Sequence, residues 1–264
     1  MHVFFQELNT HRKTVMIWIL SLTVSLILML LIFPAVMAEK EAYERIVGSL
    51  PPALLEAMSI DFENFMSFNG FLGYIYSYIL LALCVLAMNL GLSALGKEVS
   101  GKTADFLMTR PIARTRLLTE KILAGVTLLF VTNMAITITI WIMNLWLNTE
   151  EKNIDVMLLI ILSGWIIQLI FYALGIFIGI LKKRIRFITS LSLSFVFAFY
   201  ILAMVSQIVK KVYLYYLSPF RYFDYNSIIQ AEGYELNYLL LSLALILMFT
   251  AASYITLENK EIHT

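Results

Sequence analysis

Six long apolar segments, none of which contains Asp, Glu, Lys, Arg or His, limit the folds open to this chain more than any other feature. They are the segments 15–33, 71–95, 122–147, 156–181, 187–209 and 236–256. At 1.5 Å per residue, a helix of about 20 residues crosses the roughly 30 Å of hydrocarbon in a bilayer. Strands of a membrane barrel alternate in polarity and need only about ten residues. The segments therefore predict an all-α polytopic membrane protein with six transmembrane helices.

The composition agrees with a protein that has lipid as its solvent. Apolar residues make up 61% of the 264 residues and charged residues 14%, whereas soluble domains average about 45–50% and about 25%. The single cysteine, Cys84, lies inside an apolar segment and can build neither a disulfide framework nor a thiolate metal site. The three histidines lie near the polar ends of the chain. We therefore expect no catalytic, metal or cofactor site in this chain.

Lysine and arginine residues are distributed unevenly among the segments that flank the spans. If the N-terminus is cytoplasmic, 13 of the 19 lie on the inner side, and such an excess marks the cytoplasmic face of a membrane protein. Most acidic residues, such as Glu39, Glu44 and Asp61, then lie outside. The pattern predicts that both termini are cytoplasmic and that the protein is a multi-pass protein of a cell membrane, bacterial or archaeal.

The segment 97–121 is a basic insert between the second and third spans. Four of its residues recur at helical spacing on one face, namely Val99, Thr103, Phe106 and Arg110. Pro111 would end this helix. We interpret the segment as a cytoplasmic hairpin with an amphipathic helix through which a cytosolic partner holds the membrane protein. The alternative is that this face lies on the inner surface of the membrane.

Two other connecting segments carry structural signals. The outer loop 34–70 is too long for a simple turn, and Pro51-Pro52 followed by Leu54 and Leu55 predicts a short helix within it. The loop 210–235 is rich in aromatic residues, namely Tyr213, Tyr215, Tyr216, Phe220, Tyr222, Phe223 and Tyr225. Such residues collect at membrane interfaces, so we predict an interfacial belt. The alternative is a dedicated ligand cage.

Amide side chains are the larger polar groups within the spans. They are Asn89, Asn133, Asn144, Gln168 and Gln207. We expect them to bond to neighbouring helices, the alternative being contact with a transported molecule. The pair Gly175 and Gly179 favours close helix packing.

The sequence GLSALGK at 91–97 has the spacing of a phosphate-binding loop. That loop requires a preceding strand and a Ser or Thr after the lysine, whereas here Glu98 follows Lys97 at the end of an apolar segment. We therefore predict no ATP site in this chain, and expect Gly91 and Gly96 to loosen the helix where it leaves the bilayer.

The hairpin carries a family signature. Its residues are Glu98, Gly101-Lys102-Thr103, Leu107, Arg110-Pro111, Arg114 and Lys121, joined by the outer PPALLEA and by Gly73-Tyr74 at the second span. They resemble the signature of permease subunits of type-2 ATP-binding-cassette exporters over essentially the whole chain. The chain departs from it in the inserted Lys102 and in Phe106-Leu107-Met108, which stands where the family has a pair of leucines.

This resemblance implies that two permeases, identical or paralogous, pair in the lipid bilayer and that each presents its coupling helix to a separate cytosolic ATPase. The ATPase would bind the ATP and magnesium. The expected coupling residues are Glu98, Val99, Thr103, Asp105, Phe106, Arg110 and Arg114. The permease itself would not be an enzyme, and nucleic acid is not an expected partner.

The resemblance implies outward transport, and because the spans carry no Asp, Glu, Lys, Arg or His, we expect an apolar or amphipathic cargo. A peptide antibiotic, a lipid-like molecule and a hydrophobic drug all have this chemistry. Two other functions stay open: a non-transporting scaffold or sensor that recruits a cytosolic protein, and a carrier or channel that works without an ATPase.

Overall fold

In hydrocarbon, backbone amide and carbonyl groups must bond to each other, and a helix satisfies them within one segment. In the computed structural model of the chain, the described residues are helical apart from short connections. These residues are 2–59, 61–100, 114–147, 153–182 and 187–259, with side chains described for all except 2, 95–100 and 114.

The described residues form thirteen helices. They are α1 (His2–Leu30), α2 (Phe33–Ala38), α3 (Lys40–Gly48), α4 (Pro52–Ala57), α5 (Phe62–Phe65), α6 (Phe68–Ser100), α7 (Arg114–Trp146), α8 (Ile154–Leu181), α9 (Ile188–Val209), α10 (Val212–Tyr215), α11 (Pro219–Tyr222), α12 (Tyr225–Ala231) and α13 (Leu236–Asn259).

Six of the helical segments are long and apolar enough to cross a membrane. They are Val3–Ala38, Phe68–Ala94, Thr115–Trp146, Ile154–Leu181, Ile188–Val209 and Leu236–Asn259. The prediction of an all-helical protein with six spans is therefore confirmed.

Hydrogen bonds at the two ends of the bundle show how the long helices run. The Lys121 Nζ donates to the Ala94 carbonyl at 2.6 Å, and this joins the start of α7 to α6 near its end. At the other end, the Asn69 side chain donates to the Asn153 carbonyl at 3.0 Å, and this joins the starts of α6 and α8. We call the first the hairpin end and the second the loop end, and successive spans alternate in direction between them.

The helices α6 and α8 form the tightest pair, and glycines allow their approach. A Cβ atom added to Gly175 would lie 2.8 Å from the Met88 carbonyl oxygen, and one added to Gly179 would lie 3.1 Å from that of Leu92. The close packing expected at this glycine pair is confirmed. The expectation for Gly91 is wrong: α6 continues to Ser100, and a side chain at Gly91 would overlap the Tyr172 carbonyl.

The helix α1 begins well before the apolar segment that the sequence shows. It starts at His2, and the first apolar segment starts at 15. The extra turns form because Leu8 and Val15 pack in the core and because His11 is buried. A polar extension that packs on a neighbouring helix is thus part of the bundle.

The aromatic loop differs from the predicted belt. Tyr213 and Tyr216 are exposed, as a belt requires, but Tyr222, Phe223 and Tyr225 are buried in the protein. For these three the prediction of an interfacial belt is wrong. The reason is that α11 and α12 fold back onto the long helices and cover the three rings.

Candidate functional site

The sequence-predicted coupling residues fall largely outside the described part of the chain. Thr103, Asp105, Phe106 and Arg110 lie outside the described residues. Glu98 and Val99 belong to the last turns of α6, and Arg114 begins α7. The end of α6 and the start of α7, on either side of these residues, are described, and we call them the hairpin base. The geometry of the site is that of the hairpin base.

Lys121 occupies the centre of the base. Its side chain is only 3% exposed, and a buried ammonium group needs acceptors that replace water. The Ala94 carbonyl oxygen lies 2.6 Å from the Lys121 Nζ. Since Ala94 belongs to α6 and Lys121 to α7, this bond ties together the two helices on either side of residues 101–113.

The extension of α1 supplies the counter-charge. The Glu7 Oε2 lies 3.4 Å from the Lys121 Nζ, and the Glu7 Oε1 lies 3.5 Å from the His11 Nε2. The backbone N–H of Phe4 donates to the Glu120 Oε2 at 3.3 Å. The first turns of α1 are therefore held against the start of α7 by several polar contacts.

The helix α8 completes the base through Tyr172. The hydroxyl of this buried tyrosine lies 3.2 Å from the carbonyl oxygens of both Lys121 and Ile122, to which it donates. Its ring lies where Gly125 leaves room on α7, because a Cβ atom there would overlap the Tyr172 hydroxyl. Four helices, α1, α6, α7 and α8, thus meet at one lysine.

This arrangement can transmit displacement along the helices. The helices α6 and α7 have 33 residues each, or about 50 Å at 1.5 Å per residue, which exceeds the roughly 30 Å hydrocarbon thickness. Both run without a break from the apolar part of the bundle into the hairpin base. Continuous helical backbone and the contacts of Lys121 therefore connect the ends of α6 and α7 to the spans.

Asn89, Asn133 and Gln168, three of the amide residues within the spans, bond to side chains of neighbouring helices. The Asn133 Nδ2 donates to the Gln168 Oε1 at 3.0 Å, and the Gln168 Nε2 donates to the Asn133 Oδ1 at 3.1 Å. Both residues are buried, so this reciprocal pair joins α7 to α8 away from solvent. The Asn89 Oδ1 accepts from the Ser192 hydroxyl at 2.8 Å, between α6 and α9.

Gln207 lies at the loop end and bonds to the outer loop. Its Nε2 donates to the Ser59 hydroxyl at 2.6 Å. Ser59 adopts a left-handed backbone conformation with φ of 54°, and its carbonyl accepts from the Asn226 side chain at 2.7 Å and from the Tyr225 hydroxyl. Gln207 therefore helps to hold the outer loop onto α9 and α12.

Sequence reasoning missed Glu7, His11 and Tyr172. The first two are spaced four residues apart, which places them on one face of a helix, and the apolar residues Leu8 and Val15 continue that periodicity. This pattern could have revealed a packed helix at 2–14. No sequence signal distinguishes Tyr172 from the other tyrosines. Within the described ranges, no group of three or more His, Cys, Asp or Glu residues could hold a metal ion.

One comparison with known proteins gives a match. A protein-family model described as ABC-2 family transporter protein matches residues 1–262. Neither the curated proteins nor the solved structures include a match to the chain. The match extends over all six spans and over the hairpin.

Proposed function

The chain belongs to the ABC-2 family of transporter proteins, and on this premise we propose that it is the permease of an exporter powered by a separate cytosolic ATPase. The chain itself is a non-catalytic membrane component of the transporter. In this proposal the ATPase binds ATP and magnesium and docks on the hairpin between α6 and α7. A second permease, identical or paralogous, completes the transporter in the membrane.

The observation that carries the proposal is the buried lysine at the hairpin base. Lys121 bonds to α6 through the Ala94 carbonyl and pairs with Glu7 of α1. Tyr172 of α8 bonds to the backbone of the same turn. Because four spans converge there, a displacement of the hairpin by an ATPase would move these four spans together.

The distribution of charge supports an inner position for the hairpin end. Of the 19 lysine and arginine residues, 13 belong to the stretches of sequence that flank the apolar segments on this side, and such an excess is typical of the cytoplasmic side. Both termini would then be cytoplasmic. The coupling residues Glu98, Asp105 and Phe106 would face the ATPase.

The chemistry of the spans favours an apolar or amphipathic cargo. The apolar segments carry no Asp, Glu, Lys, Arg or His, and the buried amides Asn133 and Gln168 satisfy each other. A charged cargo would find no counter-charge along such a path. A peptide antibiotic, a lipid-like molecule or a hydrophobic drug fits this surface, and the direction of transport would be outward.

The proposal is tested by capture of the ATPase. A tagged chain would be purified from membranes of its native host together with its Glu98→Arg variant and with Glu44→Arg, a matched charge reversal at the loop end. We expect an ATPase with a complete nucleotide-binding loop to accompany the parent and Glu44→Arg, and to be lost from Glu98→Arg. Equal recovery with all three proteins would exclude the coupling role of Glu98.

A second measurement separates the exporter from the other two functions. Inverted vesicles that contain the permease and the captured ATPase would be tested for ATP-dependent uptake of fluorescent apolar and amphipathic compounds. Uptake that persists without the ATPase would indicate an autonomous carrier. ATPase recruitment without any uptake would indicate a scaffold or sensor.

A further inference from the structure

The fold encloses a pocket among the aromatic residues of the loop end. Five rings line it, from Tyr215, Tyr222, Phe223, Tyr234 and Tyr238, together with the carboxylate of Glu235. We call it the aromatic pocket. Its volume is about 150 Å³, and a cavity of about this volume holds one benzene molecule. It can therefore take one compact group of a larger molecule.

The rings are fixed by contacts that do not involve a ligand. The hydroxyls of Tyr222 and Tyr234 donate to the carbonyls of Tyr216 and Leu159, each at 2.6 Å. The rings of Tyr222 and Tyr238 stack, with centroids 5.5 Å apart and planes 6° apart. Because the Tyr222 and Tyr234 hydroxyls are engaged with backbone, these rings offer a ligand their π-systems and not a hydrogen-bond donor.

The one cation in the pocket lining is already compensated. The Arg221 Nη1 lies 2.6 Å from the Asp224 Oδ2, and the guanidinium carbon lies 5.0 Å from the centroid of the Tyr215 ring. The charges of Arg221 and Asp224 cancel. The net charge of the lining is therefore that of Glu235.

Glu235 lies at the exposed rim of the pocket. Among the residues that the structure describes, its carboxylate makes no ion pair and accepts no hydrogen bond. A carboxylate beside aromatic rings attracts an organic cation, since a cation within about 6 Å of a ring is stabilised by the quadrupole of that ring. It repels an anion, and it adds nothing to the binding of a neutral molecule.

We propose that the aromatic pocket binds an organic ammonium group. The trimethylammonium group of choline has the required compact shape and a diffuse positive charge that aromatic rings bind well. Two sources carry this chemistry: a lipid headgroup, which a pocket beside the start of span α13 can reach, and a free amine. This proposal does not depend on the proposed function.

Binding would be measured with choline by ligand-observed NMR on the full chain in nanodiscs of phosphatidylglycerol, a lipid without an ammonium group. The uncharged isostere 3,3-dimethylbutan-1-ol serves as the control probe. We expect saturable binding of choline and at least about tenfold weaker binding of the isostere. Equal binding of the two would overturn the proposal, because the pocket would then recognise shape and not charge. Absence of saturable choline binding would overturn it as well.

Variants assign the binding to the pocket. Tyr238→Leu should weaken choline binding about tenfold or more. Glu235→Gln, at an exposed position that should not disturb folding, should weaken it about fivefold. Tyr213→Leu removes an exposed tyrosine of the same loop that does not line the pocket, and should leave the affinity unchanged. Affinity that survives both Tyr238→Leu and Glu235→Gln would place choline elsewhere and refute the proposal.

The lipid composition distinguishes the two sources. In nanodiscs of phosphatidylcholine, a pocket filled by a lipid headgroup should show choline binding at least about tenfold weaker than in phosphatidylglycerol, through competition. Equal affinity in the two lipids would assign the pocket to a free amine. Either result supports an ammonium site.

Discussion

Lys121 shows how one charged side chain can be accommodated inside a membrane protein. The lysine is buried, and it has both a backbone acceptor on α6 and a carboxylate on α1. Removal of one partner of a buried ion pair destabilises a protein strongly, because the other charge is left without compensation. The burial of Lys121 therefore makes its contacts a requirement for folding.

We predict that Lys121→Met lowers the free energy of unfolding by about 3 kcal/mol, since Glu7 loses its ammonium partner and α6 loses its bond to α7. The measurement is unfolding in mixed micelles with increasing dodecyl sulfate. Arg116→Met is the control, because the Arg116 side chain is 70% exposed in its contact with Glu120, and exposed pairs contribute little. Similar losses of unfolding free energy in the two variants would show that the contacts of Lys121 add no more stability than an exposed ion pair.

The amide pair at Asn133 and Gln168 gives a second residue-scale prediction. Asn133→Leu should cost about 1 kcal/mol of unfolding free energy, because Gln168 is left buried without its reciprocal partner. The double variant Asn133→Leu/Gln168→Leu should recover part of this loss, since no unsatisfied amide remains. If the pair serves packing, the relative uptake of different cargoes will not change. A shift in cargo preference would show that the pair contacts cargo.

At the scale of helices, the approach of α6 to α8 depends on backbone contact. Gly175 and Gly179 face Met88 and Leu92 of α6 without side chains between them. In lipid there is little hydrophobic drive between helices, so close van der Waals packing and backbone approach hold such a pair together. The helix pair α6 and α8 lies at the centre of the bundle and positions the hairpin base.

We predict that Gly175→Ala destabilises the protein by about 1–3 kcal/mol, because the new methyl group meets a carbonyl of α6 that cannot move alone. Gly48→Ala is the matched control, since a Cβ atom there has nothing within 4 Å. The control should be neutral or slightly stabilising. Equal stabilities in dodecyl sulfate titrations would mean that α6 and α8 can separate without cost.

At the scale of the whole molecule, the orientation in the membrane determines which end of the bundle faces the cytosol. Ser49 lies at the loop end and Lys182 at the hairpin end, and both are exposed. If the hairpin end is cytoplasmic, the two positions lie on opposite sides of the membrane. Cys84 is fully buried and does not interfere with thiol labelling.

We therefore expect Ser49→Cys to react with a membrane-impermeant maleimide in intact cells. Lys182→Cys should react only after the cells are permeabilised. The parent chain should stay unlabelled in both conditions and serves as the control. Labelling of Lys182→Cys in intact cells would show that the hairpin end lies outside the cell. The hairpin could then contact no cytosolic partner.

Single residues show how far sequence reasoning reaches into the candidate site. Lys121 is identifiable from the sequence as part of the hairpin signature, but its partner Glu7 is 114 residues away and is found only when α1 packs on α7. Asn133 and Gln168 are recognisable as polar groups at membrane depth, but their pairing depends on the rotation of α7 relative to α8. Tyr222, Phe223 and Tyr225 carry the composition of an interfacial belt, and their burial is decided by the return of α11 and α12.

The six candidate spans and the all-helical class follow from the sequence alone, because hydrocarbon admits only long apolar helices and each such segment is visible without its neighbours. The family is likewise recognisable from the residues of the sequence alone. The tertiary structure alone decided that α1 extends onto α7, that Lys121 joins four helices, and that five rings enclose a pocket. Each of these depends on contacts between distant segments, and local propensity does not encode which faces of two helices meet.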